Sequence, residues 1–340
     1  MKTALTLFTV ISLAALAGCE PKVEGKKPLT GKKELLTVNF QEGQTLQYRF
    51  VSSRDINVDW GPVSGGHKSS RDKDKIDKSS ESMGMVVTYT PIKVDPYGLT
   101  TIKAVCKSVY ASRTPSGMGR TGIDAVESLT GASFTFTVEP TGKIEDYSQL
   151  EKLIKETGQK AFRPESSEGR VKEPDMIDDF TATQWFLWDA VSSIKNPAKG
   201  VRVGQSWKSK LPVPTPMVIQ RVRDVNYTLD EIRQTEKGQL AVIRSSYSPA
   251  ESIPDNWPPK PYSGSFQMSG RFGFLKGYQI LDLQGQGEEL FNIDAGRTER
   301  YNQQYQVQMD ASLPLDIGPK LHITIKQNLT MELLGTSVEN

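Results

Sequence analysis

The sequence predicts a mostly β protein of the α+β type: antiparallel sheets built from two similar β-modules, with a two-helix insert between them. Three observations carry this. Apolar residues recur at every second position in several stretches, the same short motifs return twice in the same order, and between the two sets the apolar spacing lengthens to three and four. A period of two puts alternate side chains on opposite faces of a sheet, whereas spacings of three and four mark one side of a helix. The 340 residues include 28 glycines and 20 prolines, which suits a chain of many turns, and 36% are hydrophobic, enough to rule out disorder throughout.

Residues 1 to 18 read as a cleaved secretion leader, with one charge at Lys2, an uncharged apolar run from Ala4 to Leu16 and small residues after it. That run is shorter than the roughly 20 residues a bilayer-spanning helix needs, so a permanent transmembrane segment is not expected. Its end, Leu16-Ala17-Gly18-Cys19, resembles the lipobox of bacterial lipoproteins. The resemblance implies that the Cys19 thiol is diacylglycerylated, the leader is cut before it, and the new amine receives a palmitate-type acyl chain. Acyl chains contribute about 0.8 kcal/mol per buried methylene, and two or more hold a protein to a membrane stably. Residues 19 to 34 are polar and basic with Pro21 and Pro28, the composition of a tether. Glu20 rather than aspartate follows the cysteine; by the pattern of families resembling the enteric lipoproteins, this implies the outer rather than the inner membrane.

The first β-module is expected over 35–146. Leu46, Tyr48 and Phe50 alternate with polar residues, as do Phe134, Phe136 and Val138. Between them, Gly61 to Ser82 is charged, with Ile76 as almost its only apolar residue after Val63. Ordering such a segment costs about 1 to 2 kcal/mol per residue of backbone entropy, so it is predicted to be a disordered, dispensable loop, with strands resuming by Met83. The second module is expected over 201–340. There Phe266, Met268, Phe272 and Phe274, then Tyr301, Gln303, Tyr305, Val307 and Met309, then Leu321, Ile323 and Ile325 recur at period two. Gly43-Gln44 is echoed by Gly204-Gln205, Tyr89-Thr90 by Tyr227-Thr228, and the Phe136 to Lys143 hairpin by Phe291 to Arg297. Gly43 and Gly142 lie 99 positions apart and Gly204 and Gly296 lie 92 apart, spacing that predicts a duplication.

The insert covers 147–200. Leu150, Leu153, Ile154 and Phe162 predict one helix capped by Ser148; Ile177, Phe180, Leu187, Trp188, Val191 and Ile194 predict a second, stopped by Asn196-Pro197.

Chemistry is sparse. With 42 Lys+Arg against 40 Asp+Glu the net charge is +2, and no nucleic-acid partner follows. Two cysteines and two histidines, none close in sequence, do not make a metal site, and no cofactor loop stands in the right context. Gly117-Met-Gly119-Arg-Thr-Gly122 fits G-x-G-x-x-G but lacks the strand before it and the helix after it. His67 lies in the charged loop and His322 on the polar face of a strand, so a hydrolytic triad has no good histidine. Cys106, in an apolar segment, reads as a buried thiol.

Two function classes remain. One is a non-catalytic binding or scaffolding module, holding an apolar ligand or an envelope protein. Its ligand-facing candidates are Trp185, Trp188, Phe272, Phe274, Tyr301 and Tyr305. The alternative is an envelope hydrolase using a carboxylate pair near Trp185 and Trp188, with Asp178-Asp179 the first pair to consider. The lipobox, basic tether, Gly-Gln strand openings, F-x-V-x-x-x-G-K and F-x-I-x-x-G-R hairpins and Val201-x-Val-Gly-Gln-Ser-Trp207 together resemble an uncharacterised family of bacterial, often planctomycete-type, envelope lipoproteins, known as a domain of unknown function. That family implies no catalytic residues.

Overall fold

The computed structural model describes residues 30–60, 76–114, 125–140, 144–146, 148–149, 152–153, 156, 200–212, 222–252, 275–313 and 320–338. Of the described residues, strand accounts for 77% and helix for 4%, and every strand pairing is antiparallel. In chain order the strands are β1 (Thr30–Glu34), β2 (Gln44–Asp59), β3 (Ile76–Val94), β4 (Thr100–Arg113), β5 (Ser133–Val138), β6 (Ile144–Asp146), β7 (Val201–Val203), β8 (Ser206–Pro212), β9 (Val222–Thr235), β10 (Gly238–Pro249), β11 (Lys276–Asn292), β12 (Arg297–Ser312) and β13 (Leu321–Val338). A single turn of 3-10 helix, Ala125–Leu129, precedes β5.

Eleven of these strands form one sheet in the order β6-β5-β4-β3-β2-β13-β12-β11-β10-β9-β8. The first run meanders outward from β2 to β6 and the second runs inward from β8 to β13, so the closing contact is β13 against β2, from Val338 opposite Gln44 to His322 opposite Asp59. Both halves expected from the sequence therefore lie in one sheet. β1 pairs with β7 as a separate ribbon. The segment after β1 bridges the two runs: Val38 N–H donates to the Pro140 carbonyl at 3.3 Å and Asn39 N–H to the Gly296 carbonyl at 2.9 Å. Gly296 has φ +60°, and a β-carbon there would stand 2.5 Å from Asn39 Cβ, so glycine serves both the turn and this close approach.

The structure departs from the sequence expectation in two places. The charged stretch is not a loop as far as Ser82: β3 begins at Ile76 and pairs with β2 residue for residue down to Asp59. Its odd-numbered polar side chains have partners: Asp77 Oδ2 accepts from Trp60 Nε1 at 2.8 Å, and the buried Glu81 pairs with Arg54. The two-helix insert is not supported. Among the described residues no complete α-helix stands, and the only helical positions of that segment are Ser148, Gln149, Lys152, Leu153 and Glu156. The second predicted helix lies outside the described residues, as do 61–75, Gly117 to Gly122 and His67.

One face of the large sheet is buried across the nine strands between its edges, from β5 to β9 in the sheet order. On β12 the inward residues are Tyr301, Gln303, Tyr305, Val307, Met309 and Ala311, and on β13 they are Leu321, Ile323, Ile325, Gln327, Leu329 and Met331. The apolar members gather into two clusters. One centres on Phe50, Met85, Tyr89, Ile102 and Phe136, the other on Ile56, Leu229, Phe291, Val307 and Ile325. Full burial of side chains of this size contributes about 1.5 to 3 kcal/mol each. Leu36 and Val201, from the small ribbon and its neighbourhood, join the second cluster, and Leu129 joins the first.

Candidate ligand-binding face

The inner face carries a band of polar residues between its two apolar clusters. On β2 the first cluster ends at Phe50 and the second begins at Ile56, with the buried Ser52 and Arg54 between. On β12 Gln303 separates Tyr301 from Tyr305, and on β13 Gln327 interrupts the apolar run. Strand register aligns these positions. Glu81, Arg54, Gln327, Tyr305, Gly285 and Tyr247 stand opposite one another in turn across β3, β2, β13, β12, β11 and β10. Because facing residues of neighbouring strands lie side by side, the band crosses the sheet perpendicular to its strands.

The band is hydrogen-bonded along its length. Arg54 Nη1 donates to Glu81 Oε2 at 3.3 Å, Gln327 Nε2 donates to Ser52 Oγ at 3.1 Å, and Tyr305 donates its hydroxyl to Gln327 Oε1. Further along, the Tyr247 and Tyr301 hydroxyls meet at 2.8 Å, Ser245 Oγ meets the Tyr247 hydroxyl at 2.8 Å, and Tyr301 donates to Gln303 Oε1 at 3.0 Å. Tyr247 and Tyr301 sit on β10 and β12, with β11 between them. The Gln284-Gly-Gln-Gly-Glu288 sequence makes this reach possible: a β-carbon at Gly285 would lie 2.6 Å from the Tyr247 ring, and one at Gly287 2.5 Å from its hydroxyl. Alternate glycines thus leave a lane across β11 for the ring.

Burial dominates the electrostatics. It pushes the Tyr301 and Tyr305 hydroxyls well above their ordinary range, so both are neutral donors. Glu289, four residues along β11 from Gly285 and opposite Tyr301, is 2% exposed; burial pushes its carboxyl up to about 7, opposed by a 2.6 Å hydrogen bond from Thr298 Oγ1. Arg223, at the start of β9, is 1% exposed and places its guanidinium carbon 4.3 Å from the centre of the Tyr247 ring.

Of the residues singled out in the sequence, Tyr301 and Tyr305 stand together on this face. Trp185, Trp188, Phe272, Phe274 and Cys19 lie outside the described residues, together with Phe266, Asp178 and Asp179. Cys106 is buried in the first cluster, and desolvation pushes its thiol up to about 11. His322 points outward on β13, 3.1 Å from Asp310 Oδ1. Among the described residues no three of His, Cys, Asp and Glu gather as metal ligands. The residues that sequence reading missed are Arg54, Glu81, Arg223, Tyr247, Glu289 and Gln327. For most of them the available signal was position: each occupies an inward place in an alternation whose other members are apolar. A cavity of about 530 Å3 is lined mainly by outward-pointing polar residues, among them Arg244, Gln286, Glu288, Asn302, Gln304 and Asn328, and also touches Ser245, Gln303 and Leu329. Its polar walls differ from those expected for an apolar ligand.

No family model matches the chain, and no curated protein matches it. Among solved structures the chain is similar to lipovitellin, in a structure concerned with its lipid–protein interactions, with a TM-score of 0.48 and 11% sequence identity over 89% of this chain. The matched region is 26% of that chain.

Proposed function

We propose that this chain is a lipid-anchored protein of the bacterial envelope whose β body is a non-catalytic module that holds an apolar or amphiphilic ligand against the inner face of its sheet. The observation that carries the reading is the pattern of that face. Two apolar clusters are joined by a hydrogen-bonded polar band, which offers a fatty chain a surface and a head group a set of partners. Ligand sites commonly combine a mostly apolar lining with a few placed polar groups, and this face has that composition. The lipobox at Cys19 supports the anchor, and Glu20 favours the outer membrane. The two-module reading is kept as part of the proposal. In support, Gly43-Gln44 and Gly204-Gln205 each open a run of strands, and the hairpin residues Phe136 and Phe291 each fall on the fourth strand of their own run.

Two experiments test this. Native mass spectrometry of the chain purified from its own envelope is expected to show bound amphiphile; a chain that is ligand-free as purified and takes up no added acyl lipid would refute the binding reading. Cys19→Ser is expected to abolish acylation and membrane fractionation, and a variant still processed and membrane-bound would refute the anchor.

A further inference from the structure

We propose that Arg223 is a head-group clamp, taking the oxyanion, carboxylate or phosphate, of a single-chain anionic lipid whose tail lies along the apolar clusters. This rests on the ligand-binding reading and names its ligand class. Among the described residues the inner face holds two buried arginines, and they differ in one respect. Arg54 is paired with Glu81, whereas among the described residues no carboxylate stands within ion-pair distance of Arg223. The Nε and Nη1 of Arg223 are buried with no hydrogen-bond partner among the described residues. A guanidinium out of water without a counter-charge is costly, and the face of one tyrosine ring offsets only part of that.

The neighbouring chemistry has the same sign. The Tyr247 ring under Arg223 carries the hydroxyl that meets Tyr301, and Tyr301 in turn donates to Gln303 Oε1, leaving Gln303 Nε2 buried without a partner among the described residues. All three partnerless atoms in this connected group are N–H donors, and an arginine edge presents two of them in the fork that suits a planar or tetrahedral oxyanion. The one partnerless buried carboxylate oxygen among the described residues, on Glu289, belongs to a side chain held by Thr298 and makes no ion pair with Arg223, so it does not supply the missing charge. Arg223 is followed at inward positions of β9 by Val225, Tyr227 and Leu229, all buried, so an anion bound here would enter apolar surroundings. An amphiphile meets both conditions, and a free inorganic anion meets only one.

The test is native mass spectrometry of the full mature chain released from detergent micelles. It is titrated with hexadecanoic acid, hexadecyl phosphate, hexadecanol, methyl hexadecanoate and inorganic phosphate. The acid and the phosphate monoester are expected to bind about tenfold or more tightly than the alcohol and the ester, about 1.4 kcal/mol, and inorganic phosphate is expected not to bind. In Arg223→Met the preference for the charged head should vanish while the alcohol still binds as before. In Arg223→Lys, which keeps the charge without the fork and guards against a methionine variant that does not fold, the preference should be reduced but present. Equal binding of all four lipids, or a preference unchanged in the variants, overturns the clamp and leaves the ligand-binding reading standing. Binding of inorganic phosphate alone overturns the lipid assignment. If none of the five binds, the ligand-binding reading fails with it.

Discussion

Glu289 ties folding stability to pH in a way that can be worked out from its surroundings. Its register neighbours are Ile243 on β10 and Tyr301 on β12, and its one described hydrogen bond comes from Thr298. Burial raises the carboxyl from 4.5 in the reference state to about 7 in the folded chain. Between these two values the folded state holds a proton that the unfolded state releases, so stability is full below pH 4.5 and is lost as pH rises through 7. At about 1.36 kcal/mol per unit, the loss amounts to about 3 kcal/mol. Glu289→Gln mimics the protonated acid, keeping an acceptor for Thr298 and placing an N–H₂ where the neutral carboxyl has its O–H. The perturbation should therefore be invisible near pH 4.5 and should make the variant more stable than the parent by up to about 3 kcal/mol at pH 8. Urea unfolding of both chains, followed by far-ultraviolet circular dichroism at several pH values, measures this difference and cancels the titrations they share. A stability difference that stays flat from pH 4.5 to 8 would refute the assignment of a buried, proton-holding carboxyl.

Three further outcomes follow from the same face. Gly285→Ala would place a β-carbon 2.6 Å from both the Tyr247 ring and Tyr305 Cβ, so it should destabilise by about 1 to 3 kcal/mol in the same unfolding assay, and an unchanged midpoint would contradict the lane across β11. Arg54→Met leaves Glu81 buried without its ion pair and should cost about 3 to 5 kcal/mol, much of it recovered in Arg54→Met with Glu81→Leu. Cys106, with its thiol pushed up to about 11 and only 8% exposed, should resist a thiol reagent at pH 8 until the chain is unfolded, and rapid native labelling would show that the first cluster opens.

The period-two stretches of β2, β5, β12 and β13 were legible because their inward residues are apolar and their outward ones are not, and strand geometry converts that alternation directly into two faces. The positive-φ Gly296 marked the turn of its hairpin for the same local reason. The start of β3 was not legible. From Ile76 to Ser82 its inward side chains are Ser79 and Glu81, so both faces look polar in the sequence, and only pairing with β2 shows that one of them is buried. Arg54, Gln303 and Gln327 are invisible as a group for the same reason. They are scattered over the chain, and they form one band only because the meander brings β13 against β2 and sets the register across six strands. Alternation along one strand is a local property of the backbone and can be read from neighbours in sequence. Which polar residues meet across strands depends on register, and register is set by the packing of the whole sheet.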